Sequence, residues 1–575
     1  MRFRSIIGTA AAASTLVMTG AVTAGPASAA VLSCGTVLST PGQTVTLTAN
    51  VGPCNGGDGV TITAPNVTLN LGGFKIIGKR HAGDAAGVRL ANVTGVTVKG
   101  KGTVQGFDAG VAIFGGSGNT VSNLIAKDNV NDFQGGSCDL GDGISMTDSS
   151  NNTIQGNKVV GNGPYGGISV VENSDGNTIK GNTVVSQNLH GIGCGNSTQD
   201  EGIRLEGPGA NNNVVNGNTV SDSLLGGIGV HSNIGCRNNP PAPGDTPNND
   251  FNIITNNTVT GTTGSSQSDG IKLLAQGPFG TVVCAASNTT ITGNNSSNNS
   301  RNGITIPATS VNNIVNDNTV NANGTPGAPA IPGPATPGVG DGIHLGEPIF
   351  GNVFTDIGPT NLDLISPAQP TFIAGTDFAA LEGSGSSPAG GVTGTLVPIG
   401  NINVVNPAPD SSTSGCTAAD FPAAVAGNIA LIQRGFCDRT LKIANAVAAG
   451  AIGVVFFNEG SPGRTGLIVA GVDPVNIPVI DATFATGQKL FNLTQQGPVT
   501  INVEAHTTNI NTEINVGAEN NTLSRNVGFN NVERDGRDDN PKCDNNAWTA
   551  NKFGTVNQPC VKAGGGTGQV KPIAP

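Results

Sequence analysis

The sequence has few charged and few aromatic side chains. Charged residues account for 11% of its 575 residues and aromatic residues for 4%, with one Trp and one Tyr. Helical bundles need charged outer faces, so this composition favours short strands and tight turns instead. The formal net charge of −11 argues against nucleic acids and anionic membranes as partners. After the N-terminal segment, no stretch is long and apolar enough to cross a membrane, so we expect no membrane insertion.

The cysteines lack the spacing of a metal site. All ten lie after residue 30 and none forms a C-x-x-C motif, so we expect disulfides in an oxidising compartment. Their grouping predicts three local disulfides: Cys34–Cys54, Cys416–Cys437 and Cys543–Cys560. The pairing of the remaining cysteines stays open: Cys138, Cys194, Cys236 and Cys284.

The first 30 residues have the pattern of a secretory signal peptide. Arg2 and Arg4 precede an uncharged apolar stretch, and Ala27-Ser28-Ala29 supplies small residues for cleavage. A lipoprotein acylation site ending at Cys34 is the weaker alternative, because Pro26 separates it from the apolar stretch. We therefore predict a secreted, extracellular protein that begins its fold at residue 31.

A repeat of about two dozen residues dominates the rest of the chain. Its anchor is an Asn before a short strand: Asn119, Asn152, Asn177, Asn213, Asn313, Asn352 and Asn521. A further Asn follows five residues after most anchors: Asn157, Asn182, Asn218, Asn318 and Asn526. A turn residue followed by Gly and Ile precedes many anchors, as in Asp269-Gly270-Ile271. Asn tolerates left-handed corners and its amide bonds neighbouring coils, so the repeat predicts a stacked solenoid.

The repeated pattern N-N-T-I-x-G-N-x-V resembles the right-handed parallel β-helix of pectate-lyase-like and NosD-like proteins. The entry at Cys34-Gly35-Thr36-Val37 and the closing coil from Asn546 to Cys560 resemble the ends of secreted β-helix proteins. The resemblance covers roughly residues 34–365 and 510–562. It implies a mainly β fold, a right-handed parallel β-helix solenoid, and leaves the activity open because this fold hosts many functions.

The repeat is interrupted between the anchors Asn352 and Asn521. Apolar strands are predicted at 427–433 and 452–457, and a helix over 440–449 with one apolar face: Leu441, Ala444, Val447 and Ala448. This segment resembles a protease-associated (PA) domain, on residues 427–437, 442–446, 449–451 and 477–480. The resemblance implies an α/β module that binds proteins or peptides without catalytic groups, and Cys416–Cys437 fits its disulfide. We predict a signal peptide at 1–30, a β-helix with an N-terminal cap at 31–368, the PA domain at 369–508 and final coils with a cap at 509–575.

A stripe of charged residues follows the turn motifs. Turn acids and the outward residues three positions later give the candidate catalytic set: Glu201, Arg204, Asp269, Lys272, Asp341 and His344. β-Helix lyases and hydrolases use carboxylates as acids or metal ligands, and Lys or Arg as bases. The alternative, which we favour, is a solvated face whose charges pair along a ladder.

A second acidic group lies near the C-terminus: Asp535, Asp538, Asp539 and Asp544. Such oxygen ligands suit Ca²⁺, although the spacing is not that of an EF-hand, and an exposed acidic loop is the alternative. Otherwise we predict no cofactor.

No G-x-S-x-G or H-E-x-x-H peptidase motif is present. The leading prediction is a monomeric, non-catalytic scaffold that recognises a protein or peptide through the PA domain. The alternative is an extracellular polysaccharide lyase or glycoside hydrolase acting on an acidic glycan along the charged stripe.

Overall fold

The computed structural model describes most of the chain after the N-terminal segment. The described residues are 27–79, 85–131, 140–185, 201–206, 209–231, 249–263, 268–279, 282–324, 340–356, 358–381, 383–405, 407, 411–437, 439–460, 464–468, 475–514 and 517–572. The predicted signal peptide falls largely outside them, and so do Cys138, Cys194 and Cys236. Among the described residues, no helix has the length and apolar character needed to cross a membrane.

Three parallel sheets wind together into a β-helix. Sheet 1 contains Ala27–Ala30, Thr44–Leu47, Thr68–Asn70, Thr97–Lys99, Thr120–Ser122, Thr153–Gln155, Thr178–Lys180, Val214–Asn216, Ile253–Thr255, Thr290–Thr292, Ile314–Asn316, Thr522–Ser524 and Ala547–Thr549. Sheet 2 contains Val51–Cys54, Lys75–Gly78, Thr103–Gln105, Ile125–Lys127, Lys158–Val160, Thr183–Val185, Thr219–Ser221, Thr258–Thr260 and Asn295–Ser297.

Sheet 3 carries the predicted turn motifs. Its strands are Thr36–Leu38, Val60–Ile62, Ala86–Thr94, Ala109–Ser117, Asp142–Thr147, Gly166–Val171, Glu201–Glu206, Gly226–Val230, Asp269–Leu273, Ile304–Pro307, Ile343–Glu347, Gly536–Asp538, Lys552–Val556, Val527–Gly528 and Thr567–Val570. Each coil runs from sheet 3 through sheet 1 to sheet 2. Because side chains alternate along a strand, sheet 1 and sheet 2 each point one row of apolar side chains inward. Sheet 3 points two such rows inward, as Ile271 and Leu273 show. These four rows form one continuous core.

Buried asparagine ladders connect the coils at the corners. Asn182 illustrates the geometry: its Oδ1 accepts the backbone N–H of Asn157 at 2.9 Å, and its Nδ2 donates to the Ile154 carbonyl at 2.9 Å. The same exchange recurs along the predicted anchors and along the Asn five residues later. A third ladder, ten residues after the anchor, was not predicted: Asn129, Asn162, Asn299, Asn323 and Asn531. Neighbouring Asn residues, such as Asn151 and Asn212, take the left-handed angles at positive φ.

The predicted anchor Asn352 is wrong. Asn313 hydrogen-bonds Asn521 directly, at 2.9 Å from its backbone N–H to Oδ1, so these two coils are adjacent across the insertion. Asn352 lies instead in the strand Ile349–Asp356, which pairs antiparallel with Thr507–Ile514. These two strands lead out of the β-helix and back. The residues next to Asn352 resemble the repeat in sequence. In the structure, however, Asn352 pairs with Asn511 across the antiparallel ribbon rather than with another coil.

The insertion is an α/β domain around one mixed sheet. In spatial order its strands are Asn361–Ser366, Thr500–Glu504, Val392–Pro398, Ile429–Gln433, Gly453–Phe457, Val479–Ala482 and Phe378–Ala380, with the four from Val392 to Ala482 parallel. Helix α1 spans Arg439–Ala448 and helix α2 spans Phe484–Thr494. The predicted boundary at residue 369 falls after the first strand of this sheet. The Cys416–Cys437 disulfide is present.

The orientation predicted for α1 is inverted. Leu441 and Val447 are exposed, whereas Lys442, Ile443 and Ala446 are buried against the sheet. The sequence pattern predicts that Lys442 faces solvent. In the structure its buried ammonium group donates a hydrogen bond to the Gln433 carbonyl at 2.9 Å.

Both ends of the β-helix are closed by predicted features. Cys34–Cys54 links the first coils and Cys543–Cys560 the last ones. Trp548 is buried in the closing coil, where its Nε1 donates to Asp538 at 2.8 Å and its ring meets Phe553 edge-on. Short 3-10 helices, Pro541–Cys543 and Pro559–Lys562, pack at the same end.

Candidate functional site

The predicted charged stripe lies on the outer surface of sheet 3, and we name this set with its partners the charged face. Parallel register aligns five of the six predicted residues on it, and Asp341 lies two residues before the strand that carries His344: Glu201, Arg204, Asp269, Lys272, Asp341 and His344. Every one of them is less than 10% exposed, and Glu201 and Asp341 are fully buried. The prediction of paired charges agrees with this geometry, but the prediction of a solvated face is wrong. Their side chains pair with neighbouring side chains on the sheet instead of extending into solvent.

Glu201 is the centre of the first cluster. Its two oxygens meet Lys272 Nζ at 2.6 Å and His231 Nε2 at 2.7 Å. Lys272 reaches across an intervening coil that has glycine at both facing positions. A Cβ at Gly226 would lie 2.8 Å from Lys272 Cε, and one at Gly229 would lie 2.6 Å from a Glu201 oxygen. The two glycines therefore form the slot in which the ion pair lies.

Two further clusters continue the charged face. Arg301 bridges Asp269, at 2.9 Å, and Glu347, which belong to the coils on either side of it. His344 Nε2 contacts Asp539 at 2.9 Å, and Asp539 also accepts two hydrogen bonds from Arg537. The sequence prediction missed the following partners: Glu206, His231, Arg301, Glu347 and Arg537. Register would identify Arg537, because it aligns with His344, and Glu206 and Glu347 are the last residues of their strands. His231 follows a strand and Arg301 precedes one, so neither lies on a register row.

The protonation states on the charged face follow from burial and pairing. Burial raises the pKa of the Glu201 carboxyl group, but the interactions with His231 and Lys272 outweigh burial and the net pKa lies below its ordinary value. Burial lowers the pKa of His231, and the contact with Glu201 acts in the opposite direction without cancelling it. At the upstream end, burial raises the pKa of Asp142 to about 6. Glu201 therefore stays ionised at neutral pH, whereas Asp142 has a pKa of about 6.

The four predicted calcium ligands do not form one cluster. Asp535 accepts hydrogen bonds from Asn531 and Thr555, Asp538 from Asn540 and Trp548, and Asp539 pairs within the charged face. Asp544 is exposed. The alternative of an exposed acidic loop is wrong for Asp535 and Asp538, which are buried. Within the described ranges, no group of three or more His, Cys, Asp or Glu side chains is arranged to hold a metal ion.

The α/β domain gathers polar groups where two of its parallel strands end, and we name this set the polar edge: Gln433, Arg434, Asn458, Glu459 and Arg464. Gln433 Nε2 donates to the Glu459 carbonyl at 3.0 Å, which fixes the two strand ends together. Arg464 pairs with the buried carboxylate of Glu459 at 3.3 Å and keeps 30% of its side chain exposed. Arg434 donates to Asn458 Oδ1 at 3.5 Å and is half-buried. Ligands of open α/β sheets bind beyond the carboxyl ends of the strands, which is where this set lies.

Gln433 also fixes the neighbouring loop. Its Oε1 accepts the Asn403 backbone N–H at 2.6 Å, and its Nε2 donates to the Asn403 carbonyl at 2.7 Å. Val405, two residues further on, is 81% exposed. The polar edge therefore has two partly exposed arginines, and the loop bound to Gln433 carries an exposed apolar side chain.

Comparisons with known families agree with both parts of the fold. The family described as a right-handed β-helix region matches residues 33–184 and 66–239, and the PA domain family matches residues 392–490. The chain therefore contains a right-handed parallel β-helix and an inserted PA domain.

Curated relatives match only part of the chain. An aminopeptidase of Pseudomonas aeruginosa is 40% identical over 134 residues, which is 23% of this chain and 24% of the relative. Leucine aminopeptidase 2 of Arthroderma otae is 34% identical over 127 residues, 22% of this chain and 23% of the relative. The chain thus spans about a quarter of the length of these relatives.

Among solved structures, the A-module of mannuronan C-5 epimerase AlgE4 from Azotobacter vinelandii is similar with a TM-score of 0.34 and 13% identity, over 56% of this chain and 81% of that one. Alginate lyase from Paenibacillus gives a TM-score of 0.30 and 17% identity, over 51% and 93% of the two chains.

Proposed function

We propose that the chain is a secreted, non-catalytic binding protein, in which the β-helix is a rigid shaft and the PA domain recognises a protein or peptide. The burial of the six candidate catalytic residues, and their pairing with neighbouring side chains, carries this proposal. A lyase or hydrolase needs acids and bases that reach the substrate, whereas Glu201 and Lys272 pair with each other and His344 contacts Asp539. A single mature chain with residues 1–30 removed is the expected form.

The polar edge is the proposed recognition site. Arg434 and Arg464 are partly exposed and carry guanidinium groups that suit a carboxylate, and Val405 offers an apolar contact on the loop that Gln433 binds. We therefore expect a peptide ligand with an acidic side chain or a free C-terminal carboxylate. The aminopeptidases that match part of the chain act, by their names, on peptides, which supports a peptide ligand.

Binding of fluorescent peptide pools to the full chain tests this site. One pool has free C-termini, a second is amidated, and a third carries Asp or Glu next to an apolar residue. We expect anisotropy to rise with at least one carboxylate-bearing pool, and Arg464→Ser to weaken that binding about tenfold, as the loss of a charge-assisted contact predicts. Arg525→Ser is the matched control, because it removes the same charge from the β-helix surface. Equal binding by both variants would refute the site.

A second candidate function has one observation in its favour. Carboxyl groups with separated pKa values mark acid and base roles in hydrolases, and Asp142 and Glu201 on the charged face differ in this way. The protein would then be a polysaccharide lyase or glycoside hydrolase. Incubation with polygalacturonate, alginate and neutral glycans, with and without calcium, tests it through reducing ends and unsaturated uronyl absorbance. Product that Lys272→Met abolishes would establish this function and retire the non-catalytic one.

A further inference from the structure

Five exposed lysines lie along the corner between sheets 1 and 2, and we name them the lysine ridge: Lys75, Lys99, Lys101, Lys158 and Lys180. Lys99 and Lys180 occupy the last outward position of sheet 1, in one register row with Ser122 and Gln155 between them. Lys75 and Lys158 occupy the first outward position of sheet 2, with Thr103 and Ile125 between them. Each row thus carries a lysine every third coil, and the lysines of the two rows lie in different coils.

The ridge has a defined length. From the coil of Lys75 to the coil of Lys180 there are four strand spacings, which at the usual strand separation is about 19 Å. Lys101 lies on the corner itself, in the coil of Lys99. The positive charges therefore follow the axis of the β-helix in a narrow band rather than forming a round patch.

Within the part of the chain that the structure describes, the ridge lysines are not paired. No described carboxylate forms an ion pair with any of the five, and the two rows contain no acidic residue in these coils. Other surface cations do pair, such as Arg525 with Asp317 and Lys127 with Asp128. Unpaired cations concentrated in one band of a chain with net charge −11 are complementary to an external linear anion.

A row of hydroxyl groups runs beside the lysines. The first outward position of sheet 1 is threonine in six consecutive coils: Thr44, Thr68, Thr97, Thr120, Thr153 and Thr178. These side chains are half-buried and lie two residues before the row of Lys99 and Lys180. Hydroxyls can hydrogen-bond sugar hydroxyls, and the two register rows carry no aromatic side chain on which nucleic-acid bases would stack.

We propose that the lysine ridge binds a linear anionic polysaccharide and so attaches the shaft to an anionic matrix. The charged groups are carboxylates or sulfates, spaced along the polymer, that pair with lysines on successive coils. The ridge lies on a different surface from the charged face and uses no group of the PA domain, so this proposal stands or fails separately from the proposed function.

Retention and binding of the full chain on defined polymers test the ridge. The probes are immobilised polygalacturonate, which carries carboxylates, chondroitin sulfate, which carries sulfates as well, neutral dextran and single-stranded DNA. The triple variant Lys99→Ser, Lys158→Thr, Lys180→Ser uses residue types found elsewhere in the same rows. The control Lys489→Ser, Lys552→Thr, Lys562→Ser removes the same three charges from exposed positions away from the ridge.

We expect the wild type to bind at least one acidic polysaccharide and not dextran, and raised NaCl to weaken that binding. The ridge variant should lose at least tenfold in affinity, whereas the control should remain within twofold of the wild type. An equal loss of affinity in both variants would mean that net charge alone explains the binding, and would overturn the proposal. It is also overturned if neither acidic polysaccharide binds, or if DNA binds more tightly than both. A ridge variant that still binds peptide like the wild type separates this result from the proposed function.

Discussion

The β-helix carries two sets of outward charges whose environments differ. On the charged face of sheet 3, Glu201 and Lys272 are buried and contact each other at 2.6 Å. On the lysine ridge, Lys99 and Lys158 are exposed and have no described ion-pair partner. Both sets derive from the same repeat, at outward strand positions. The difference teaches that an outward position in a solenoid is not automatically a solvated one, and that pairing across coils decides which charges remain for a ligand.

Replacing Asp269 with Ala should produce the largest effect on the charged face. Arg301 would lose one of its two carboxylates and the Asn302 backbone N–H would lose its acceptor. Removing one partner of a buried pair costs about 3 to 5 kcal/mol. Urea unfolding followed by circular dichroism measures the loss, and Asp269→Asn, which keeps the acceptor, separates the hydrogen bond from the charge. An unchanged midpoint for Asp269→Ala would contradict a structural role for the cluster.

Asn182→Ala should be next in size, and it tests a buried polar group without charge. The substitution leaves the Asn157 N–H and the Ile154 carbonyl without their present partners inside the solenoid. Two unsatisfied groups cost about 3 to 4 kcal/mol in total. The same unfolding assay applies, with the exposed neighbour Thr183→Ala as the control. Similar losses in both variants would show that the ladder contributes no more than a surface position.

Asp142→Asn should instead stabilise the protein at neutral pH. The folded state raises the pKa of Asp142 to about 6, so between roughly pH 4 and pH 6 the folded state binds more protons than the unfolded state. Stability from this group is therefore present at low pH and is lost as pH rises through that window. We expect Asn, which still accepts from Ser169 and Gly166, to be more stable than Asp by about 2 to 3 kcal/mol at pH 7 and not at pH 4. A difference that does not depend on pH would contradict this assignment.

Lys158→Thr should give the smallest effect on stability. The Lys158 side chain is exposed and has no ion-pair partner among the described residues, and Thr occupies the same register row in the adjacent coil at Thr183. Surface changes of this kind alter the free energy of unfolding by less than about 0.5 kcal/mol. A loss of stability comparable to that of Asp269→Ala would mean that the ridge, like the charged face, supports the fold.

The fold could be predicted from the sequence because the same sequence signals repeat along the chain. Asn anchors and Gly-Ile turns recur in most coils, so a single misplaced anchor, Asn352, did not change the predicted architecture. The inserted domain was recognisable from local strands, but α1 was oriented wrongly because its buried face contains Lys442, which satisfies its charge on the Gln433 carbonyl.

The burial of the charged face was not predictable in the same way. It depends on Gly226 and Gly229, which leave a slot between Glu201 and Lys272, residues from coils that are not adjacent. Partners such as His231 and Arg301 follow or precede strands at positions with no periodic signal. Local patterns identify the rows of a solenoid, whereas contacts between rows depend on side-chain reach across several coils.

A double-mutant cycle on Glu201→Gln and Lys272→Met tests most directly whether the charged face is a structural network. If the two groups hold the coils together, each single variant should lose stability. The loss in the double variant should then be about 2 kcal/mol smaller than the sum of the two single losses. Single losses that simply add would mean that the pair is not coupled in the folded protein, and would contradict the account.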